Sequence, residues 1–323
     1  MINRGAFRSA LQRWFALHGR DLPWRSSRDP YAILVSEFML QQTQVETVLP
    51  YYNSWLARFP DLDALAQADE SEVLHAWQGL GYYARARNLQ ATVRFVTQNL
   101  AGKFPDSPEQ LARLPGIGRY TAGALASFAF DRPAPAVDAN IARVLARLTN
   151  WQDPIDTAAG QAHLWRTAQA LLPEKGARDH NAALMDLGAM ICLPRQPRCR
   201  ECPVRKHCRA ERPELLPRKR KRPATIHLTE PHAFTLRRNR ILLEQSHARW
   251  RGMWILPRLA SRPRRSPLLQ LDFPFTRHRI TLAVFAQSQA IMTNEHQKWF
   301  SRGALADLPV PSPHRRALAQ LLG

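Results

Sequence analysis

A chain of 323 residues is long enough to bury two separate cores. Its 46 Lys and Arg against 26 Asp and Glu leave a net charge of +20, which points to a polyanionic partner, nucleic acid ahead of membrane. No apolar run approaches bilayer-spanning length, and Arg4, Arg8 and Arg13 with no apolar stretch behind them do not read as a secretory leader, so a cytoplasmic protein without a membrane partner is expected.

From the start of the chain, Phe7, Leu11, Trp14 and Phe15 recur at helical spacing, and Leu22-Pro23-Trp24-Arg25 closes that segment. Asp29-Pro30 then reads as an N-cap followed by a first-turn proline. In the helix it opens, Ile33, Glu37 and Gln41 share one face, with Leu34, Phe38 and Leu40 beside them. A glutamate in apolar company loses hydration and holds its proton toward neutrality, which makes Glu37 a candidate acid; an ordinary exposed glutamate is the alternative, and Gln41-Gln42-Thr43-Gln44 weighs against it.

Further helices are predicted around Val45, Val48, Tyr52 and Trp55 and around Val73, Leu74, Trp77 and Leu80. Gly79-Leu80-Gly81-Tyr82-Tyr83-Ala84-Arg85-Ala86-Arg87 sets aromatics among arginines, suited to stacking on bases and gripping phosphates, or to core packing by the two tyrosines.

Ser107-Pro108-Glu109-Gln110 predicts a short capped helix, and Arg119 to Phe130 a second, joined through Pro115-Gly116-Ile117-Gly118. Gly116 and Gly118 allow a tight turn and a bare backbone at a helix N-terminus, an anion site suited to a nucleic-acid phosphate. Asp138 follows between Pro133, Pro135 and the helical run from Ile141; it reads as a cap whose N–H donors also keep it ionised, as stabilising a cation requires.

Helical patterning continues to about Met190, where all four cysteines follow in one segment: Cys192, Cys199, Cys202 and Cys208. A metal centre is preferred over disulfides, and spacing alone leaves zinc and an iron–sulfur cluster about even. Pro217-Arg218-Lys219-Arg220-Lys221-Arg222-Pro223 reads as a solvated basic linker. Beyond it, Ala233–Leu236, Arg240–Glu244 and Ile280–Phe285 read as strands, so a mainly α part precedes a small α+β part.

Taken together, Val35-Ser36-Glu37, Gln41-Gln42-Thr43-Gln44, Gly79-Leu80-Gly81-Tyr82-Tyr83, Leu114-Pro115-Gly116-Ile117-Gly118, Val137-Asp138, Met185-Asp186-Leu187-Gly188-Ala189 and the four cysteines resemble the adenine DNA glycosylases of the MutY family, in the helix-hairpin-helix superfamily that includes endonuclease III. The resemblance implies a helix-hairpin-helix glycosylase domain over 1–212, with a six-helix lobe at about 22–133 and an Fe–S lobe built from 1–21 with 134–212. A linker over 213–225 and a Nudix-like recognition domain over 226–323 follow. It implies a [4Fe-4S] cluster on the cysteines, and excision of adenine mispaired with guanine or 8-oxoguanine from double-stranded DNA by a nucleoid-associated monomer.

In that scheme the residue matching Glu37 protonates the extruded adenine and the one matching Asp138 stabilises the cationic sugar, with Tyr120 and Asn140 flanking it. Gln42 and Tyr82 intrude into the duplex, Gln41, Gly116 and Gly118 contact DNA, and Trp24 and Arg25 meet the substrate. Tyr120 stands where lyase relatives carry a lysine; a phenol forms no imine, so a monofunctional enzyme is expected.

No Glu-rich Nudix box is present in the tail, so no pyrophosphatase is expected. Departures from the family are Phe275-Thr276-Arg277 in place of a Phe-Ser-His turn, with Thr276 keeping a hydroxyl, and Ala182 in place of Gln or Glu. Ala182 also suits a thymine or uracil mismatch glycosylase; a non-catalytic damage-binding protein is the remaining alternative.

Overall fold

The computed structural model describes residues 2–287 and 295–323. By contacts the chain forms two compact units: the stretch up to Ala66 together with Ala91–Lys221, and Gln67–Gln90 together with Arg222–Gly323. The units are therefore interleaved in sequence. The sequence placed the domain change at 213–225, but grouping 67–90 with the C-terminal part is a matter of tertiary contact that no local pattern announces.

The chain runs α1 (Arg4–His18), α2 (Pro23–Ser26), α3 (Pro30–Leu40), α4 (Val45–Arg58), α5 (Leu62–Gln67), α6 (Glu70–Ala76) and α7 (Ala84–Asn99). It continues through α8 (Pro108–Leu111), α9 (Arg119–Phe130), α10 (Ala139–Leu148), α11 (Ala158–Leu171) and α12 (Ala177–Asp186), after which Leu187–Ile191 forms a turn of π-helix. Among the described residues, no helix is long and apolar enough to cross a membrane.

In the first unit α1 supplies Phe7 and Leu11 to a core shared with Ile141, Val144 and Leu145 of α10, Leu164 and Leu171 of α11, and Ala183 and Leu184 of α12. Val204 joins this core from the cysteine segment. A second set of buried side chains comes from α3, α4 and α9, and α3 is buried from Tyr31 to Met39, apolar almost all round as a central helix must be. Its start is fixed by Asp29, whose Oδ1 accepts from Tyr31 N at 3.0 Å, with Pro30 in the first turn.

Two glycines inside helical stretches mark close backbone approaches. A Cβ on Gly123 of α9 would fall 2.0 Å from the Pro135 carbonyl oxygen, and one on Gly188 would fall 2.7 Å from Asn140 Cβ. Both contacts press on the segment that carries Asp138.

The basic linker is not wholly solvated, as the sequence suggested. Arg147 Nε donates to Leu216 O at 2.9 Å, Ile155 N to Arg218 O at 3.0 Å and Arg220 N to Asp156 Oδ1 at 3.0 Å. Backbone carbonyls and one carboxylate hold the run against the first unit, contacts that a charge pattern does not reveal.

The second unit contains β1 (Ile226–Phe234), β2 (Leu236–Arg237), β3 (Arg240–Gln245), β4 (Trp254–Ile255), β5 (Leu269–Phe275), β6 (His278–Ala286), β7 (Gln297–Ser301) and α13 (Ser312–Leu322). One sheet is ordered β1-β6-β5, with β1 parallel to β6 in the register Ile226↔His278 and β5 antiparallel in the register Phe275↔His278. The other is ordered β2-β3-β4, with β7 also paired to β3.

Candidate active site

A cleft of about 1690 Å³ opens in the first unit. Its walls include Trp24, Arg25, Glu37, Gln41, Gln42, Gly116, Gly118, Tyr120, Asp138 and Asn140, so candidates scattered over more than a hundred positions of sequence meet in one place. Tyr82 and Thr276 belong to the second unit.

Glu37 is 4% exposed, the only acidic side chain buried in α3. Burial pushes its pKa up to about 7; the Tyr120 hydroxyl bonded to it works downward, and the negative Asp138 upward. Its Oε2 has no hydrogen-bond partner. A protonated carboxyl there has an O–H to give to whatever enters the cleft.

Asp138 caps α10: Oδ1 accepts from Ile141 N at 2.6 Å and Oδ2 from Asn140 Nδ2 at 3.0 Å. Asn140 in turn accepts from Arg143 Nη2 at 2.9 Å, and Arg143 also donates to Gly188 O at 2.7 Å and to Cys192 O at 2.8 Å. The expected N–H donors are present, yet they do not dominate. Burial raises the Asp138 carboxyl above its ordinary value, while the N–H donors and Arg143 pull it back down. Tyr120 is held neutral, its ionisation driven well above the usual phenol range by burial and by Glu37 and Asp138. Asn140, expected beside the sugar, uses its amide to orient the carboxylate.

Trp24 packs edge-on against Tyr52 at 5.3 Å between ring centres. Arg25 lines the cleft, but its guanidinium is not free as a direct substrate contact would want: Nη1 donates to Asp186 Oδ2 at 2.6 Å and Nη2 to Asp186 Oδ1 at 2.7 Å. A carboxylate 161 positions away made this pairing invisible in sequence. Arg143 and Gly188 were likewise missed, although a glycine inside a helical pattern is itself a signal of close approach.

At the hairpin, α8 is only four residues long; Ser107 caps it by accepting from Gln110 N at 3.2 Å. Gly116 has φ +75°, and Gly118 is the N-cap of α9, where an added Cβ would meet no atom within 4 Å. Gln41 ends α3 and donates to Thr121 Oγ1 at 3.5 Å. Gln42 is exposed with φ +58°, a left-handed conformation uncommon outside glycine.

In the second unit the two tyrosines part ways. Tyr82 is 46% exposed with φ +44°, whereas Tyr83 is 5% exposed and packs inward. Thr276 stands at the exposed two-residue tip between β5 and β6 with φ +52°, an outlier for a β-branched residue.

Cys192, Cys199, Cys202 and Cys208 line a small separate apolar pocket with Ile191 and Arg147. Arg147 Nη1 reaches Cys192 Sγ at 3.3 Å and Leu193 O at 2.7 Å, and the Cys208 thiol donates to Arg147 O at 3.5 Å. Burial pushes the Cys202 thiol up to about 11 and that of Cys208 upward as well.

Residues 35–169 match the family described as HhH-GPD superfamily base excision DNA repair protein. Over 215 residues the chain is 48% identical to an adenine DNA glycosylase of Mus musculus, a match covering 64% of this chain and 42% of that one. It is 42% identical over 200 residues to the adenine DNA glycosylase of Mycolicibacterium smegmatis, covering 62% of this chain and 67% of that one. Against the mouse protein, then, the chain spans about two fifths of the relative's length. Among solved structures, a thermostable thymine-DNA glycosylase aligns with TM-score 0.59 and 32% identity over 64% of this chain and 95% of that one. A non-covalent endonuclease III–DNA complex aligns with TM-score 0.54 over 65% of this chain and 96% of that one, and at 23% identity shares the fold.

Proposed function

We propose, because this chain belongs to the adenine DNA glycosylase family of the helix-hairpin-helix superfamily, that it excises adenine mispaired with 8-oxoguanine or guanine by hydrolysing the N-glycosidic bond. The observation that carries this reading is the meeting of Glu37 and Asp138 in one cleft with Tyr120 hydrogen-bonded to the first. A glycosidic bond to a base breaks when the base leaves neutral and the sugar cation has a negative neighbour. Glu37, protonated up to a pKa of about 7, gives its proton to the adenine. Asp138, oriented by Ile141 N and Asn140, faces the developing cation.

Double-stranded DNA enters with the adenine turned out of the stack. The hairpin amides after Gly116 and Gly118 take a backbone phosphate, Gln42 and Tyr82 each intrude into the duplex, and Thr276 reads the opposing guanine. The enzyme is monofunctional because Tyr120 cannot form an imine, and it acts as a nucleoid-associated monomer. A helix-hairpin-helix domain over 1–212, a linker over 213–225 and a Nudix-like recognition domain over 226–323 divide these tasks.

The four cysteines hold a [4Fe-4S] cluster. The four thiols line one apolar pocket, a donor set that suits a multi-iron cluster. When bound, the cluster would supply the positive charge that keeps the buried thiols ionised, while Arg147 of α10 holds the loop directly through Cys192 Sγ and Leu193 O. The purified protein is expected to be brown, and Cys199→Ser to lose most of the visible absorbance together with duplex binding; full absorbance in that variant would remove Cys199 from the ligand set.

A second reading, thymine or uracil removal from mispairs, draws on Ala182, whose methyl group rather than an amide lines the cleft. End-labelled duplexes bearing A·8-oxoG, A·G, T·G and U·G decide between them. Alkali-dependent cleavage at adenine is expected, and cleavage confined to T·G or U·G would end the adenine assignment.

A further inference from the structure

We propose that Asp186 is a positioning residue for base excision, a buried carboxylate that fixes Arg20, Arg25 and the Trp24 segment between them as a rigid wall of the cleft. The inference rests on the excision reading above.

Asp186 ends α12 and is 0% exposed. Its Oδ2 accepts from Arg20 N at 2.9 Å and from Arg25 Nη1 at 2.6 Å; its Oδ1 accepts from Arg20 Nε at 2.8 Å and Arg25 Nη2 at 2.7 Å. Arg20 Nη2 lies 2.8 Å from the same Oδ1. Arg25 closes the loop on itself by donating from Nη1 to Arg20 O at 2.9 Å, and its guanidinium lies 5.4 Å from the Phe15 ring centre. Burial alone would raise the Asp186 carboxyl; the hydrogen bonds and charges of Arg25 and Arg20 outweigh it and hold it below the usual range.

Two features make this more than a structural ion pair. Arg20, Trp24 and Arg25 all line the cleft, as do Ala182 and Met185 from the helix that Asp186 terminates. In addition, one carboxylate serves two guanidinium groups, so the cluster carries one net positive charge instead of two beside a site where a sugar cation must form.

The bidentate geometry fixes Arg25 in the plane of the carboxylate, which a point charge could not do. The ring of Trp24, 8% exposed, lines the cleft next to this fixed pair as a flat apolar surface. A nucleobase presents a complementary flat face.

Asp186→Asn keeps the shape and removes the charge. Two measurements separate positioning from mere folding: the single-turnover rate of base release, and affinity for two duplexes, one with a non-cleavable 2′-fluorinated deoxyadenosine opposite 8-oxoguanine and one with a tetrahydrofuran abasic analogue there. We expect release slowed at least 30-fold and affinity for the fluorinated duplex reduced about tenfold, with affinity for the abasic duplex within threefold of wild type.

Arg25→Lys, which retains charge but not the fork, is expected to show the same selective pattern, and it carries the test if Asp186→Asn does not fold. Wild-type release rates in the variants overturn the proposal, as does a parallel loss of affinity for both duplexes. A wild-type protein that releases no base sinks the excision reading and this inference together, and is told apart because the control itself is silent.

Discussion

Glu37→Gln is expected to abolish adenine release, slowing the single-turnover rate by about 10³-fold or more, while leaving the protein folded and bound to DNA. Gln is nearly isosteric and can accept the Tyr120 hydrogen bond, but its amide has no transferable proton, so the loss reads the acid role of the carboxyl at the upper end of what a general acid contributes. The same buried carboxyl is a burden at alkaline pH. Its folded-state pKa of about 7 lies above the ordinary 4.5, so its favourable linkage to folding is full below about 4.5 and is lost as pH rises through 7.

Glu37→Gln should therefore raise thermal stability above pH 7, by up to about 3 kcal/mol. Wild-type activity should fall through the same window as the acid form disappears. Denaturation at pH 6 and pH 9, with pH–rate profiles alongside, measures both effects; an alkaline limb unchanged near pH 7, or residual activity within tenfold of wild type, would remove Glu37 from the acid role.

Asp138→Asn distinguishes a helix cap from a charge. Asparagine caps a helix as well as aspartate does, so the bond from Ile141 N survives, but its amide N–H₂ meets the Asn140 N–H₂ that Oδ2 accepted from, and thermal stability should fall by about 1–3 kcal/mol. What disappears is the negative charge beside the sugar, and the loss expected in single-turnover rate is about 10²- to 10³-fold, the usual effect of deleting one preorganised electrostatic partner. Binding to the substrate duplex should hold within a few fold. A variant that is destabilised but still excises would mark Asp138 as a cap only.

Much of the site was legible because local chemistry dictated it. Asp29-Pro30 announces the start of α3, the apolar company of Glu37 announces its burial, and two glycines after Pro115 announce the hairpin turn. What escaped was set by distance along the chain. Arg143 and Arg147 look like the polar stripe of an amphipathic helix, yet both point inward to carbonyls of the cysteine loop, because an irregular loop leaves acceptors that only long donors can reach. The pairing of Arg25 with Asp186, the docking of the linker on Asp156 and the parallel register of β1 on β6 are likewise products of tertiary approach.

The interleaving of the two units bears on how the molecule is made and how it can be cut. Residues 67–90 leave the ribosome well before Arg222–Gly323, the partners with which they form one unit, so that helical segment must wait while the intervening stretch is synthesised. A stop codon after Lys221 would remove the part of this unit that supplies the Val310 and Arg251 carbonyls, which accept from Gln78 and Arg87 of the segment. Expression of such a fragment should yield a protein in which 67–90 is the first place cut by a protease.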